Sequence, residues 1–321
     1  MQKTLTLAIG LLLFWAAAAQ PATFFHRAEN YGHLSGVVYV ERAGTIIHEE
    51  CYGQAATGRA PQLRTPFDIG SLSKQFTAAA ILQLVHREQL QLTDPINQHL
   101  GELATKRWKR VTIHQLLTHT SGIPSLYQTE QGLPIFLPEE QPIALRELVN
   151  RFRTAKLRFR PGEEFSYSNS GYILLAAIIE QVSGVPYAQF METEIFSRYG
   201  LQGTRVGATD QAAQPYYGFG TQPLVSAPIY DPSWFPGAGG IYSTVLDLNR
   251  WMSLIQSDTF LTAELREQFL APHTRAGAGQ YGYGWQINAD GAREHDGATA
   301  GKVPPCPETS KTFSRTALGF S

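Results

Sequence analysis

Across 321 residues the chain carries 26 lysines and arginines against 27 aspartates and glutamates, a formal net charge of −1, and 43% of its residues are hydrophobic. That balance excludes a protein drawn as a whole to nucleic acid or to an anionic membrane surface. The hydrophobic share provides a full-sized core, and the length fits one large domain or two small ones. Two local basic stretches, Lys106 to Arg110 and Arg151 to Arg160, are each short and followed at once by an apolar segment, so they read as solvated faces.

At the N-terminus, Lys3 precedes an apolar run from Leu7 to Ala19, and Ala17 and Ala19 form an A-x-A site before Gln20. This pattern predicts a signal peptide over residues 1–19 and an exported protein, periplasmic or extracellular. The competing membrane anchor is disfavoured, because the run is shorter than the roughly 20 apolar residues of a spanning helix. No cysteine follows the run to accept lipid. Cys51 and Cys306 are the only cysteines; a bridge between them is the one pairing open, and nothing in the sequence argues for it.

Next, "HLSGVVYVERAGTIIHEECYGQA" has two β-rich runs separated by Ala43-Gly44, which predicts a hairpin. In "FDIGSLSKQFTAAAILQLV", Phe67 and Ile69 form a short extended lead and Gly70 a tight turn. Phe76, Ala79, Ala80, Gln83 and Leu84 then recur at helical spacing. Ser71 is thus placed at a helix N-terminus, near unpaired N–H groups and the positive end of the helix dipole. Lys74 lies one turn on along the same face, where its amine can take or steer the serine's proton. The pair alone is weak, since 18 serines and 7 lysines give about 0.4 such S-x-x-K matches by chance, and a serine there serves equally as an N-cap.

Further along, "RPGEEFSYSNSGYILLAAIIEQVSG" reads as a turn at Pro161-Gly162, a polar and aromatic loop, and a helix from about Gly171 to Val182 that ends at Gly184. Tyr167 and Asn169, two apart on the extended segment, point the same way. Core packing for the tyrosine and helix capping for the asparagine are equally open from spacing alone. In "YGYGWQINADGAREHDGATAG", an aromatic first half and an Asp290-Gly291 turn predict a hairpin whose second strand carries His295-Asp296-Gly297. The other H-x-G, at His99, lies in a polar loop. His114 and His119 are five apart, which does not align two metal ligands on one helix face, so both are assigned to packing or to the helix end. Gly122 is expected to stop that helix. The stretches 125–142 and 207–240, rich in proline, glycine and aromatics, are expected to be long loops around a cleft.

The order S-x-x-K, Y-x-N, H-x-G resembles the serine β-lactamase-like hydrolases, which group class C β-lactamases, DD-peptidases and related esterases. "LQLTDPINQHL", "VTIHQLLTHTSGIP" and "PGAGGIYSTVLDLNRW" extend the likeness over roughly residues 34–301. The resemblance implies an α/β (α+β type) fold, an antiparallel sheet flanked by helices with an inserted helical lobe, occupying residues 20–301. It implies that Ser71 attacks a carbonyl, that Lys74 and Tyr167 share the general-base role, and that Asn169 orients Lys74 and the substrate amide. His295 and Gly297 would stand on an edge strand flanking the cleft, and the N–H groups of Ser71 and Ala298 would form an oxyanion hole. No metal or organic cofactor is implied; the partner is a small-molecule or peptide acyl substrate, with no nucleic acid and no stable membrane insertion.

Two departures from the family qualify this. His295 stands where penicillin-binding members have a lysine, so a substrate carboxylate loses a fixed cation, and Asp296 beside it adds repulsion. Esterase or peptidase action is therefore expected over efficient β-lactamase action. Residues 302–321 carry three prolines and no strand or helix period, so the family's last strands and closing helix are expected to be missing, the tail aberrant and the third-motif strand without a neighbour. The alternative reading is a non-catalytic or misfolded truncated member, a binding module or an inactive remnant.

Overall fold

Ala43 and Gly44, with φ of 49° and 77°, make the left-handed turn whose twist matches two antiparallel strands, and the expected hairpin forms there. The structure, a computed structural model, describes residues 22–30, 34–127, 141–217 and 225–298, together with the backbone of 316–320. The expected leader over 1–19 and Cys306 lie outside the described residues, as does most of the loop expected over 125–142. A first helix, α1, covers residues 22–30. The other helices are α2 (Ser73–His86), α3 (Ile113–Leu117), α4 (Leu145–Asn150), α5 (Asn169–Ser183), α6 (Tyr187–Phe190), α7 (Val245–Leu254) and α8 (Ala263–Leu270).

The hairpin consists of β1 (Gly36–Arg42) and β2 (Thr45–Tyr52), and Phe25 of α1 stacks on His48 with ring centroids 5.3 Å apart. Three strands from distant parts of the chain, β3 (Phe67–Asp68), β4 (Arg205–Val206) and β7 (Ile241–Ser243), pair in the order β3-β7-β4. Strands β5 (Tyr216–Tyr217) and β6 (Val225–Ser226) make a second small pair. The largest sheet is antiparallel and five-stranded, ordered β12-β11-β10-β9-β8, from β8 (Thr274–Ala276), β9 (Gly279–Tyr281), β10 (Gln286–Ile287), β11 (Arg293–Gly297) and β12 (Thr316–Phe320).

The core lies around α2 and α5, which pack together and are buried on nearly every face, α2 from Ser73 to Leu84 and α5 from Ser170 to Ile179. A helix apolar all round is one enclosed by its neighbours; each Leu or Ile buried there stabilises by about 1.5–3 kcal/mol. Phe76 of α2 stacks on Trp251 of α7 at 4.3 Å, which ties the β3-to-α2 connection to the C-terminal half. Gly184, at φ 75°, takes the left-handed position that ends α5.

Three expectations need correction. The tail is not without a strand: Thr316–Phe320 runs antiparallel to β11, from Arg293↔Phe320 to Gly297↔Thr316. The strand begins nine residues past the last proline, Pro307, and only Thr316 and Phe320 in it favour a strand, so pairing with β11 rather than local propensity marks it. The third-motif strand, β11, accordingly has β10 on one side and β12 on the other and is not an edge. Among the described residues β1 and β2 pair only with each other. Lastly, α3 stops at Leu117 rather than at Gly122; His119, with φ 58°, takes the left-handed turn, and Gly122 serves a close approach in which a Cβ would sit 2.4 Å from the Phe159 carbonyl oxygen. Among the described residues no single helix is long and apolar enough to cross a membrane.

Candidate active site

Ser71 is delivered by a strand, a joint and a helix. The strand β3 is fixed to β7, and just beyond it the Ile69 N–H donates to the Ile241 carbonyl at 3.0 Å. Gly70 turns at φ 50°, where a side chain would be strained, and Gly70–Leu72 form a 3₁₀ turn that runs into α2. The Gly70 N–H is taken by Asp68 Oδ1 at 2.9 Å. No carbonyl among the described residues takes the Ser71 N–H, in keeping with the orphan donors at a helix start.

Lys74 is buried one turn on, and its Nζ donates to Ser71 Oγ at 3.1 Å and to the Ala238 carbonyl at 2.7 Å. Burial holds the amine well below the usual lysine range, against an opposing pull from Asp296. The amine is therefore biased toward its neutral form, and reversing the Ser71 bond, so that the hydroxyl donates to the nitrogen lone pair, is the geometry of proton abstraction. Asn169, expected to orient Lys74, makes no hydrogen bond to it among the described residues; Ala238 takes that place. Asn169 is instead the first residue of α5, with Ser168 as the N-cap whose Oγ accepts from the Gly171 N–H at 3.4 Å.

Tyr167 reaches the same spot from the segment before α5. Lys74 Nζ lies 4.9 Å from its ring centroid. Tyr167 is half-buried with its hydroxyl enclosed, and the hydroxyl stands beside Ser71 without a well-aligned hydrogen bond. Burial pushes the phenol above its ordinary range, with Ser71 drawing it back and Asp296 adding to the rise, so it stays protonated at neutral pH.

The third element lies across from the Ser71 turn. Gly297 leaves room that no other residue would, since a Cβ there would fall 2.0 Å from the Ile69 carbonyl oxygen. A Cβ on Gly70 would in turn meet the Ala298 nitrogen at 2.8 Å. The strand β11 thus lies against the turn, and the backbone of Ala298 stands next to that of Gly70 and Ser71. His295 is buried, with Nδ1 2.7 Å from the Asp296 carbonyl and Nε2 3.0 Å from the Tyr281 hydroxyl. Nδ1 is assigned the proton because a carbonyl can only accept, which leaves Nε2 to accept from the tyrosine. Burial, and then the nearby Lys74, push the imidazole down to about 4, so it is neutral at physiological pH.

Spacing did not mark two groups at this site. His119, assigned to packing, is packed against the site itself: its ring lies 4.3 Å from that of Tyr167 and 4.8 Å from that of Tyr281, and its Nδ1 accepts the Ser168 N–H at 3.1 Å. Burial holds it well below the usual histidine range, helped by Lys74 and His295. Nothing in "LLTHTSG" announces that contact. Asp68 was also passed over, although a D-x-G before a helix is a readable side-chain-to-backbone turn.

Comparison with known proteins agrees with this architecture. The Beta-lactamase family model matches residues 21–305. Penicillin-binding protein 4* of Bacillus subtilis (strain 168) is 29% identical over 288 residues, covering 83% of this chain and 62% of that protein. The chain spans between 54% and 66% of the length of the curated relatives it matches. The crystal structure of a penicillin-binding protein from Bacillus halodurans superposes with a TM-score of 0.74 at 28% identity, over 84% of this chain and 86% of that one. EstCE1, a hydrolase with promiscuous acyltransferase activity, shares the fold with a TM-score of 0.74 at 21% identity, over 88% of each chain. With the matched residues spanning every described element from α1 to β11, the chain belongs to the Beta-lactamase family, the serine β-lactamase-like hydrolases.

Proposed function

We propose that this protein is an acyl hydrolase that works through an acyl-enzyme on Ser71 and acts on uncharged esters or amides. The observation that supports it most is the buried Lys74 amine, biased toward neutrality and in hydrogen-bond contact with the Ser71 hydroxyl. In this reading Ser71 Oγ attacks the carbonyl carbon while its proton passes to Lys74 Nζ. The N–H groups of Ser71 and Ala298 receive the developing oxyanion. The bond to the leaving group then breaks, and Lys74 returns the proton to that group through the Tyr167 hydroxyl. A water adds to the acyl carbon by the reverse sequence and frees Ser71. Burial moves the two candidate bases apart, Lys74 down and Tyr167 up, so the lysine takes the proton and the tyrosine relays it. Asn169, half-buried at the start of α5, is left to orient the substrate amide.

Substrate charge follows from the third motif. His295 is neutral and turned toward Tyr281, and Asp296 is exposed beside it, so a substrate carboxylate meets repulsion where a cation would be needed. Export to a periplasm or the cell exterior rests on Lys3 and the apolar run from Leu7 to Ala19. Turnover of p-nitrophenyl butyrate with a burst of nitrophenol equal to the enzyme tests the reading. The matching half-ester that ends in a carboxylate is expected to react at least about tenfold more slowly at low salt, the scale of one unscreened charge contact. Equal rates for the two would refute the charge preference. A non-catalytic protein is the second reading, favoured by the lack of any strand pairing, among the described residues, between the β1-β2 hairpin and the five-stranded sheet; it predicts no burst.

A further inference from the structure

Asp68 lies three residues before Ser71 and belongs to none of the three motifs. Its place in the fold is specific. Behind it, β3 is held by β7 through the Phe67↔Ser243 and Asp68↔Tyr242 pairs. Ahead of it, α2 is a 14-residue helix enclosed by the core. Between strand and helix the only left-handed residue is Gly70, at φ 50°, whose backbone faces Ala298 so closely that a Cβ would sit 2.8 Å from its nitrogen and 3.1 Å from its oxygen. A residue so placed has wide conformational freedom unless something holds its peptide. The bond from the Gly70 N–H to Asp68 Oδ1, at 2.9 Å, is the side-chain hold on that peptide, beside the backbone bond from the Leu72 N–H to the Ile69 carbonyl at 3.1 Å.

We propose that Asp68 is a positioning residue for acyl transfer: by gripping the Gly70 N–H it fixes the peptide between Ile69 and Gly70, the first of the 3₁₀ turn, and so sets the direction in which that turn presents the Ser71 hydroxyl and the Ser71 N–H. The proposal rests on the reading of Ser71 as the nucleophile. A charged acceptor makes the stronger hydrogen bond, which favours the carboxylate over a neutral group here. The groups facing Asp68 are the Gly70 N–H of its own turn and, across the ladder, Tyr242 of β7; no cation pairs with it among the described residues. Burial pushes the carboxyl up to about 6, against the pull of the Gly70 N–H. The grip is therefore strongest above that pH and weakens below it.

The test compares the parent with Asp68→Ala and Asp68→Asn, measuring kcat and KM on p-nitrophenyl butyrate across pH, labelling of Ser71 by a fluorophosphonate, and melting curves. Asp68→Ala is expected to lower kcat about 100-fold at pH 8 with KM within about threefold, the scale of a misaimed reacting group. Asp68→Asn, which keeps a neutral acceptor in place, is expected to recover to within about tenfold of the parent and to lose the fall in kcat near pH 6. A cooperatively melting Asp68→Ala protein with kcat within about twofold of the parent overturns the proposal. So does an Asp68→Asn profile that keeps the parent's acid limb, which decides the matter even where the alanine variant does not fold. A parent that takes no label overturns the nucleophile reading and this inference with it. A labelled parent with an unshifted Asp68→Asn profile removes this inference alone.

Discussion

Ionisable side chains buried at the site work against one another as pH changes. Asp68 is raised from 3.8 to about 6, so the fold favours its neutral form; the stability it contributes is present below about pH 4 and is lost as pH rises through 6. His295 is lowered from 6.5 to about 4, so its stability is intact above about pH 6.5 and is lost as pH falls through 4. Each shift is worth on the order of 3 kcal/mol at full extent. Melting temperatures measured from pH 4 to 7 are therefore expected to tilt in opposite senses. Variant minus parent, Asp68→Asn gains stability as pH rises, whereas His295→Gln loses it. Tilts of the same sign would show that one of these burials is misassigned. Lys74 is buried against the same desolvation, which holds its amine well below the usual range, so Lys74→Met is expected to melt higher than the parent at pH 7 while losing about 10²–10⁴-fold in kcat. The Ser71–Lys74 pair was legible in the sequence because three residues are one helical turn. The Ala238 carbonyl that holds Lys74 was not, since a backbone acceptor 164 residues away leaves no side-chain signature.

At the level of elements, the site depends on how closely β11 lies against the 3₁₀ turn that carries Ser71. Gly297 permits that approach because its Cβ would otherwise enter the Ile69 carbonyl. Gly297→Ala is therefore expected to push the strand away, costing about 1–3 kcal/mol of stability and about 100-fold in the rate of Ser71 acylation. Acylation at the parent's rate would show that the strand does not line the site. The hairpins were readable from Ala43-Gly44 and Asp290-Gly291, because turn chemistry is local. The end of α3 was misjudged for a matching reason: glycine is the usual left-handed residue, but here His119 takes that conformation while its ring packs against Tyr167, a tertiary contact that outweighs local preference. Strand β12 is not legible, because Ala317 and Gly319 weaken a five-residue run whose partner, β11, lies 19 residues upstream.

For the molecule as a whole, order of motifs and core composition carried the fold, since the long apolar runs of α2 (Phe76 to Leu84, broken only by Thr77 and Gln83) and α5 (Tyr172 to Ile179) favour an interior position. Their joint burial brings Ser71, Lys74 and Tyr167 together from segments nearly a hundred residues apart. What the sequence left dark is relational: which carbonyl, which carboxylate and which aromatic edge fold in around those three. The central claim is that this assembly activates Ser71. Intact-mass analysis of the protein after treatment with a fluorophosphonate tests it most directly, with Ser71→Ala as control. A single adduct on the parent and none on the variant is the expected result. A soluble parent that melts cooperatively and takes no adduct, or an equal adduct on Ser71→Ala, would contradict it.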